Sequence, residues 1–189
     1  MPVPKLLQTP CPQTPSPSSG SVWPRSCWNT SPVEAWSQLL GTFLHLIATG
    51  IYTGYLPVAP GTWATVLIGV PLCVGLKCLG EIPFLIALVG VLALSVLSSD
   101  FVEKELEEKD PPFVVIDEVA GFLTTMILVP ISVTHIFCAC AFFRLFDIVK
   151  PYPIRVIERQ FPGGWGITFD DVLAGLYAGL CVHVVSLFL

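Results

Sequence analysis

The chain has 189 residues, of which 53% are hydrophobic and 12% charged, and its mean hydropathy is +0.76. A soluble domain carries about 25% charged residues, so the composition argues against an ordinary soluble domain and against a disordered chain, and it fits a small integral membrane protein. The net charge of −5 disfavours a nucleic-acid partner, because binding a phosphate backbone calls for a basic surface.

Residues 1–33 hold eight prolines, six serines and no sustained apolar run. Such a segment buries too little surface to repay its ordering entropy and is expected to be a disordered Pro/Ser-rich tail. Residues 34–189 form the expected membrane domain. Charges are absent from 35–76, 82–99, 119–143 and 172–189. Eighteen apolar residues in a helix span about 27 Å, close to the hydrocarbon thickness. Residues 63–80, 82–99 and 172–189 are therefore each expected to cross the membrane. Residues 35–61 carry Gly41, Gly50, Gly54, Pro57, Pro60 and Gly61 and read as a helix followed by an irregular loop. Pro130 sits near the middle of 119–143 and breaks it into an expected hairpin, with helices near 113–129 and 131–149. The fold class is all-α: a polytopic membrane bundle of about five or six helices.

With that hairpin, one face carries the Pro60–Thr62 loop, the acidic loop 100–112, Asp117-Glu118 and the loop 147–171. Its basic residues are Lys104, Lys109, Arg144, Lys150, Arg155 and Arg159, against Lys77 alone on the opposite face. Six against one predicts that the first face is cytoplasmic.

The ionisable residues at the span edges gather on that face. Asp117 and Glu118 lie in an apolar setting, Arg144, Asp147 and Lys150 share one helical face at i, i+3 and i+6, and Asp170 and Asp171 open the last expected helix. Five carboxylates at one depth repel one another unless a cation neutralises them. Hard oxygen ligands suit Mg²⁺, which commonly takes substrate phosphate oxygens as further ligands. Arg144, Lys150, Arg155 and Arg159 complement phosphate charge, and the turns Ala59–Thr62 and Pro162–Gly166 offer backbone N–H groups to an anion. Taken singly, each feature has a plainer reading: a helix N-cap for Asp170-Asp171, a salt bridge for Arg144 and Asp147, interfacial anchors for the other cations, and a solvated face for Glu103–Asp110, to which Asp110, directly before Pro111-Pro112, is an exception. Gly175 and Gly179 follow Asp171 at i+4 and i+8, a small-residue stripe that lets the last helix pack closely and brings Asp171 against its neighbours. The seven cysteines lack zinc-site spacing and read as small apolar fillers.

Four segments then occur in a telling order: Gly54-Tyr-Leu-Pro-Val-Ala-Pro-Gly-Thr62, Asp110-Pro-Pro-Phe-Val-Val-Ile-Asp-Glu-Val-Ala-Gly121, Phe143-Arg-Leu-Phe-Asp-Ile-Val-Lys-Pro-Tyr-Pro-Ile-Arg155 and Gly163-Gly-Trp-Gly-Ile-Thr-Phe-Asp-Asp-Val-Leu-Ala-Gly175. Over roughly residues 43–189 the chain resembles the phosphatidylglycerophosphatase A family of bacteria. The resemblance implies an Mg²⁺-dependent lipid phosphatase of the bacterial inner membrane, with its site facing the cytoplasm. It would hydrolyse phosphatidylglycerophosphate to phosphatidylglycerol and phosphate. By position, the family's acidic residues fall on Asp117, Glu118, Asp147, Asp170 and Asp171, and its basic ones on Arg144, Lys150 and Arg155. The five carboxylates are the expected metal ligands, with Asp117, Glu118 and Asp171 in catalytic roles. Arg144, Lys150, Arg155, Thr62 and Gly61 are the expected phosphate contacts. Trp63-Ala64 stands where the family pattern has a small Gly-Ser-like pair. The expected partners are the bilayer and the phospholipid, and a homo-oligomer is compatible with so small a bundle.

The competing readings are a cation-coupled transporter with a carboxylate ion site and another phospholipid head-group enzyme. The transporter reading expects internal repeats and a midplane site, whereas these carboxylates sit at an edge. A CDP-alcohol phosphotransferase would show Asp-Gly-x-x-Ala-Arg, which is missing, and a cysteine phosphatase a Cys-x5-Arg basic loop, whereas no Cys of this chain sits in a basic loop.

Overall fold

A computed structural model describes residues 32–187. It divides into two units between Phe43 and Leu44. Most of the expected tail lies outside the described residues, but α1 (Pro32–Ala48) begins two residues inside the expected boundary. In the first unit α1 exposes Trp36, Leu39, Leu40 and Phe43.

The second unit continues α1 to Ala48 and adds six helices: α2 (Pro60–Leu79), α3 (Glu81–Leu106), α4 (Ile116–Thr125), α5 (Val133–Val149), α6 (Ile154–Gln160) and α7 (Gly164–Ser186). Among the described residues there is no strand. The fold is all-α, as expected, with seven helices among the described residues; the additional one, α6, falls in what the sequence left as a loop. Three helices, α2, α3 and α7, are long and apolar enough to cross a membrane. Their outward faces carry Leu67, Ile82, Ile86, Val89, Leu97 and Leu180, all exposed. Large apolar side chains in such number suit lipid rather than water.

Several boundaries differ from the charge-free runs. α3 continues past Ser99 through the charged residues to Leu106, so Glu103–Leu106 is helical and not loop. A helix leaving the hydrocarbon has no reason to stop at its first charge, and Lys104 pairs with Asp100 one turn back at 2.6 Å. α7 starts at Gly164, eight residues before the expected 172. Asp170 and Asp171 therefore lie in its second turn, which removes the N-cap reading; the N-cap is Gly163, at φ 69°, a conformation a side chain disfavours. The break at Pro130 is present, but α4 is only ten residues, about 15 Å, extended by a 3-10 turn over Met126–Leu128. α4 is thus shorter than the expected 113–129.

The core sits where α4 and α7 cross. Val119, Phe122, Leu123 and Met126 pack with Ala174, Ala178 and Val182, and with Phe143 of α5. Small residues set the helix separation: a Cβ on Gly175 would lie 2.3 Å from the Gly121 carbonyl oxygen, and one on Gly179 would lie 2.8 Å from that of Thr125. The expected stripe therefore does bring α7 backbone against α4. Ser95 and Thr168 add a buried hydroxyl pair between α3 and α7 at 2.8 Å.

The two ends of this unit are chemically distinct. At one end Lys77 Nζ donates to the Val129 carbonyl at 2.9 Å, which joins the α2 C-terminus to the Pro130 turn. At the other end the start of α2 meets the start of α4, because Gly61 lies directly against the Glu118 carboxylate. This is the sidedness that the hairpin required.

Candidate active site

The second end holds a cavity of about 220 Å³ lined by Asp110, Asp117, Glu118, Asp147, Lys150, Asp170 and Asp171, with Pro111, Pro112, Val114 and Ile167 forming its apolar wall. Four pieces of chain supply it. The first turn of α4 gives Asp117 and Glu118, the last turn of α5 gives Asp147, the α5 C-cap gives Lys150, and the second turn of α7 gives Asp170 and Asp171. The α3–α4 linker adds Asp110. Its signal in the sequence was a carboxylate placed directly before Pro111-Pro112, which set it apart from the solvated run Glu103–Lys109.

The cations are fastened to these carboxylates. Arg144 Nη1 donates to Glu118 Oε2 and lies 2.9 Å from Asp147 Oδ2, bridging α4 to α5. Lys150 Nζ donates to Asp170 Oδ2 at 2.5 Å, bridging the α5 C-terminus to α7. Asp170 Oδ1 in turn accepts from the Asp171 backbone N–H at 3.0 Å. Asp117, Asp170 and Asp171 are buried, and Asp117 Oδ1 has no hydrogen-bond partner. A buried acceptor left in that state costs about 1–3 kcal/mol, more if charged.

All five sequence-predicted carboxylates thus line one cavity, with Lys150 inside it and Arg144 behind Glu118. Gly61 touches Glu118, whereas Thr62, on the same turn, is outside the cavity lining. Arg155 is outside it too and lines a neighbouring cavity with Lys150. The side chain of Arg159 lies outside the described residues. Among the described residues no three carboxylates converge into a ready-made metal cage. The donor set nevertheless fits a hard divalent cation: six carboxylates against two cations, all-oxygen ligands, and one buried oxygen without a partner.

Residues 46–186 match the family model for phosphatidylglycerophosphatase A. The chain belongs to the phosphatidylglycerophosphatase A family. It is 35% identical over 147 residues to the phosphatidylglycerophosphatase A of Haemophilus influenzae, covering 76% of this chain and 88% of that one. It is 30% identical over 144 residues to the Escherichia coli K12 protein of the same name, covering 75% and 83%. A Bacteroides thetaiotaomicron protein provisionally named a phosphatidylinositol-3-phosphatase is 37% identical over 151 residues, covering 74% and 91%. No solved structure matches the chain. Family membership makes the protein a membrane-associated phosphoric monoester hydrolase and removes the transporter reading.

In this phosphatidylglycerophosphatase A family member, Gly61 packs directly against the Glu118 carboxylate. A Cβ there would lie 1.6 Å from both Glu118 carboxylate oxygens. Gly61→Ala is expected to push Glu118 off Arg144 and lower phosphate release about a hundredfold, the scale of a misplaced reacting group. The helical circular dichroism should be unchanged, because the displaced group is the end of a flexible side chain.

Proposed function

We propose that this protein hydrolyses the terminal phosphomonoester of phosphatidylglycerophosphate in a Mg²⁺-dependent reaction at the acidic cavity, which faces the cytoplasm at the bacterial inner membrane. The observation that carries the reading is the charge of the cavity. Six carboxylates held by only two cations repel a phosphate dianion, and a further bound positive charge would offset that repulsion. Asp117, Asp147, Asp170 and Asp171 would hold the cation, with Glu118 at its margin. When bound, the divalent ion supplies charge that offsets both the carboxylates and the phosphate oxygens.

The rest belongs to the chain's own side chains. A water attacks phosphorus in line, the bond from phosphorus to the glycerol oxygen breaks, and that oxygen takes a proton to give phosphatidylglycerol and phosphate. Glu118 is oriented by Arg144 and accepts the proton of the attacking water. Lys150, which lines the cavity and is paired with Asp170, contacts the phosphate. Asp171 and Asp117, on facing turns of α7 and α4, keep the acidic wall fixed.

The relatives' names agree on one piece of chemistry. Phosphatidylglycerophosphate and phosphatidylinositol 3-phosphate are both lipids whose polyol head group carries a phosphomonoester and is joined to the diacylglycerol by a phosphodiester. Purified protein in mixed micelles should release phosphate from phosphatidylglycerophosphate with Mg²⁺, and release should fall to background with EDTA and return on adding Mg²⁺. Release that persists in EDTA would refute the metal dependence, and no release from folded protein would refute the substrate.

A further inference from the structure

A second cavity, of about 590 Å³, opens beside the acidic one. It is lined by Val149–Tyr152, Arg155, Val156 and Gln160. Lys150 is the residue common to both cavities. The second differs in character from the first: it has two cations and no carboxylate, and an apolar shoulder of exposed Val149, Tyr152 and Val156. It is also held in place. The Tyr152 carbonyl accepts from Tyr177 Oη of α7 at 3.4 Å, Ile154 is fully buried, and Arg155 Nη2 donates to the Val149 carbonyl at 3.1 Å. That bond uses one of the five N–H donors of Arg155 and sets its guanidinium over the α5 C-terminus.

An anion of low charge beside an apolar surface is what such a cavity receives. We propose that it binds the phosphodiester of the lipid substrate, the phosphate that is not hydrolysed, with Arg155 as its main contact and the start of the acyl chains on the Val149–Val156 shoulder. The inference rests on the functional reading above and adds the element that selects the substrate class. A monoester lipid lacking the diester leaves this cavity unfilled. Lys150 lies between the two phosphates, as the glycerol lies between them in the substrate. Arg155 is then a specificity residue of the diester pocket and no part of the acidic cavity.

The test compares wild type, Arg155→Gln and Arg155→Lys in mixed micelles, using two inhibitors of phosphate release from phosphatidylglycerophosphate. Phosphatidylglycerol carries the diester without the monoester, and inorganic phosphate carries no diester. In Arg155→Gln the KM for phosphatidylglycerophosphate and the Ki of phosphatidylglycerol are both expected to rise about tenfold, the loss of one charge-assisted contact in a partly solvated site. The kcat and the Ki of inorganic phosphate should change less than about twofold, because a diester contact is the same in ground and transition states. Arg155→Lys, which keeps the charge, should recover part of the loss. An equal rise in the Ki of inorganic phosphate would place Arg155 at the monoester and overturn the proposal. So would unchanged kinetics, or a fall in kcat at constant KM. No release by wild type would instead overturn the functional reading, and the diester pocket with it; release insensitive to Arg155 overturns the pocket alone.

Discussion

Asp171→Asn is expected to lower kcat for phosphate release by about a hundredfold or more, a loss on the scale of removing one preorganised electrostatic group from an active site. Asp171 is 3% exposed, sits where α7 crosses α4, and lines the cavity with Asp117 and Asp170. Asparagine keeps the volume and one oxygen, so the helix packing survives while a negative charge disappears. Asp117→Asn should behave alike, because it removes charge from the carboxylate whose Oδ1 has no partner. Both variants should melt at or above the wild-type temperature, since buried like charges oppose one another. The pair of measurements, activity lost and stability kept, separates a functional carboxylate from a structural one. Activity within about threefold of wild type in either variant would remove that residue from the site.

Gly175→Ala should destabilise the protein, against the usual sign. In a helix interior, Gly→Ala ordinarily stabilises by about 0.5–1 kcal/mol. Here the added Cβ would stand 2.3 Å from the Gly121 carbonyl oxygen, and backbone on both sides leaves no flexible end to yield. Forcing α7 from α4 should cost about 1–3 kcal/mol, the range for overpacking a core. It should also spread Asp171 from Asp117 and reduce activity. Gly90→Ala is the control, because nothing lies within 4 Å of a Cβ at that position of α3. The melting temperature in detergent should fall for Gly175→Ala and hold or rise for Gly90→Ala. A rise in both would mean that the α4–α7 contact is looser than described.

The features that were legible in the sequence share a cause. The small-residue stripe of α7 depends on spacing along a single helix, and the break at Pro130 and the gathering of carboxylates on one face depend on residue type and on where each span meets the membrane edge. The bilayer makes such signals strong, since a charge or a proline in hydrocarbon is costly. The misread boundaries also share a cause. A charge-free run measures contact with hydrocarbon, whereas a helix ends where its backbone finds other partners. α3 therefore runs on through Glu103–Leu106, and α7 begins at Gly164, before its two aspartates. α6 was invisible because its seven residues are too few to show a period. Asp110 stood out from the solvated acids only by preceding Pro111-Pro112, and the α3–α4 linker fold is what brings it to the cavity. The separation of Arg155 from Arg144 depends on the turn after Lys150, which linear spacing does not encode.

Binding of Mn²⁺, used as a paramagnetic stand-in for Mg²⁺ and followed by electron paramagnetic resonance in detergent, tests the central claim most directly. The account predicts that the wild type binds Mn²⁺ stoichiometrically and loses it to EDTA. Asp171→Asn should bind far more weakly while keeping its helical circular dichroism. A wild-type protein that hydrolyses phosphatidylglycerophosphate yet binds no Mn²⁺, or an Asp171→Asn protein that binds it as tightly as wild type, would contradict it.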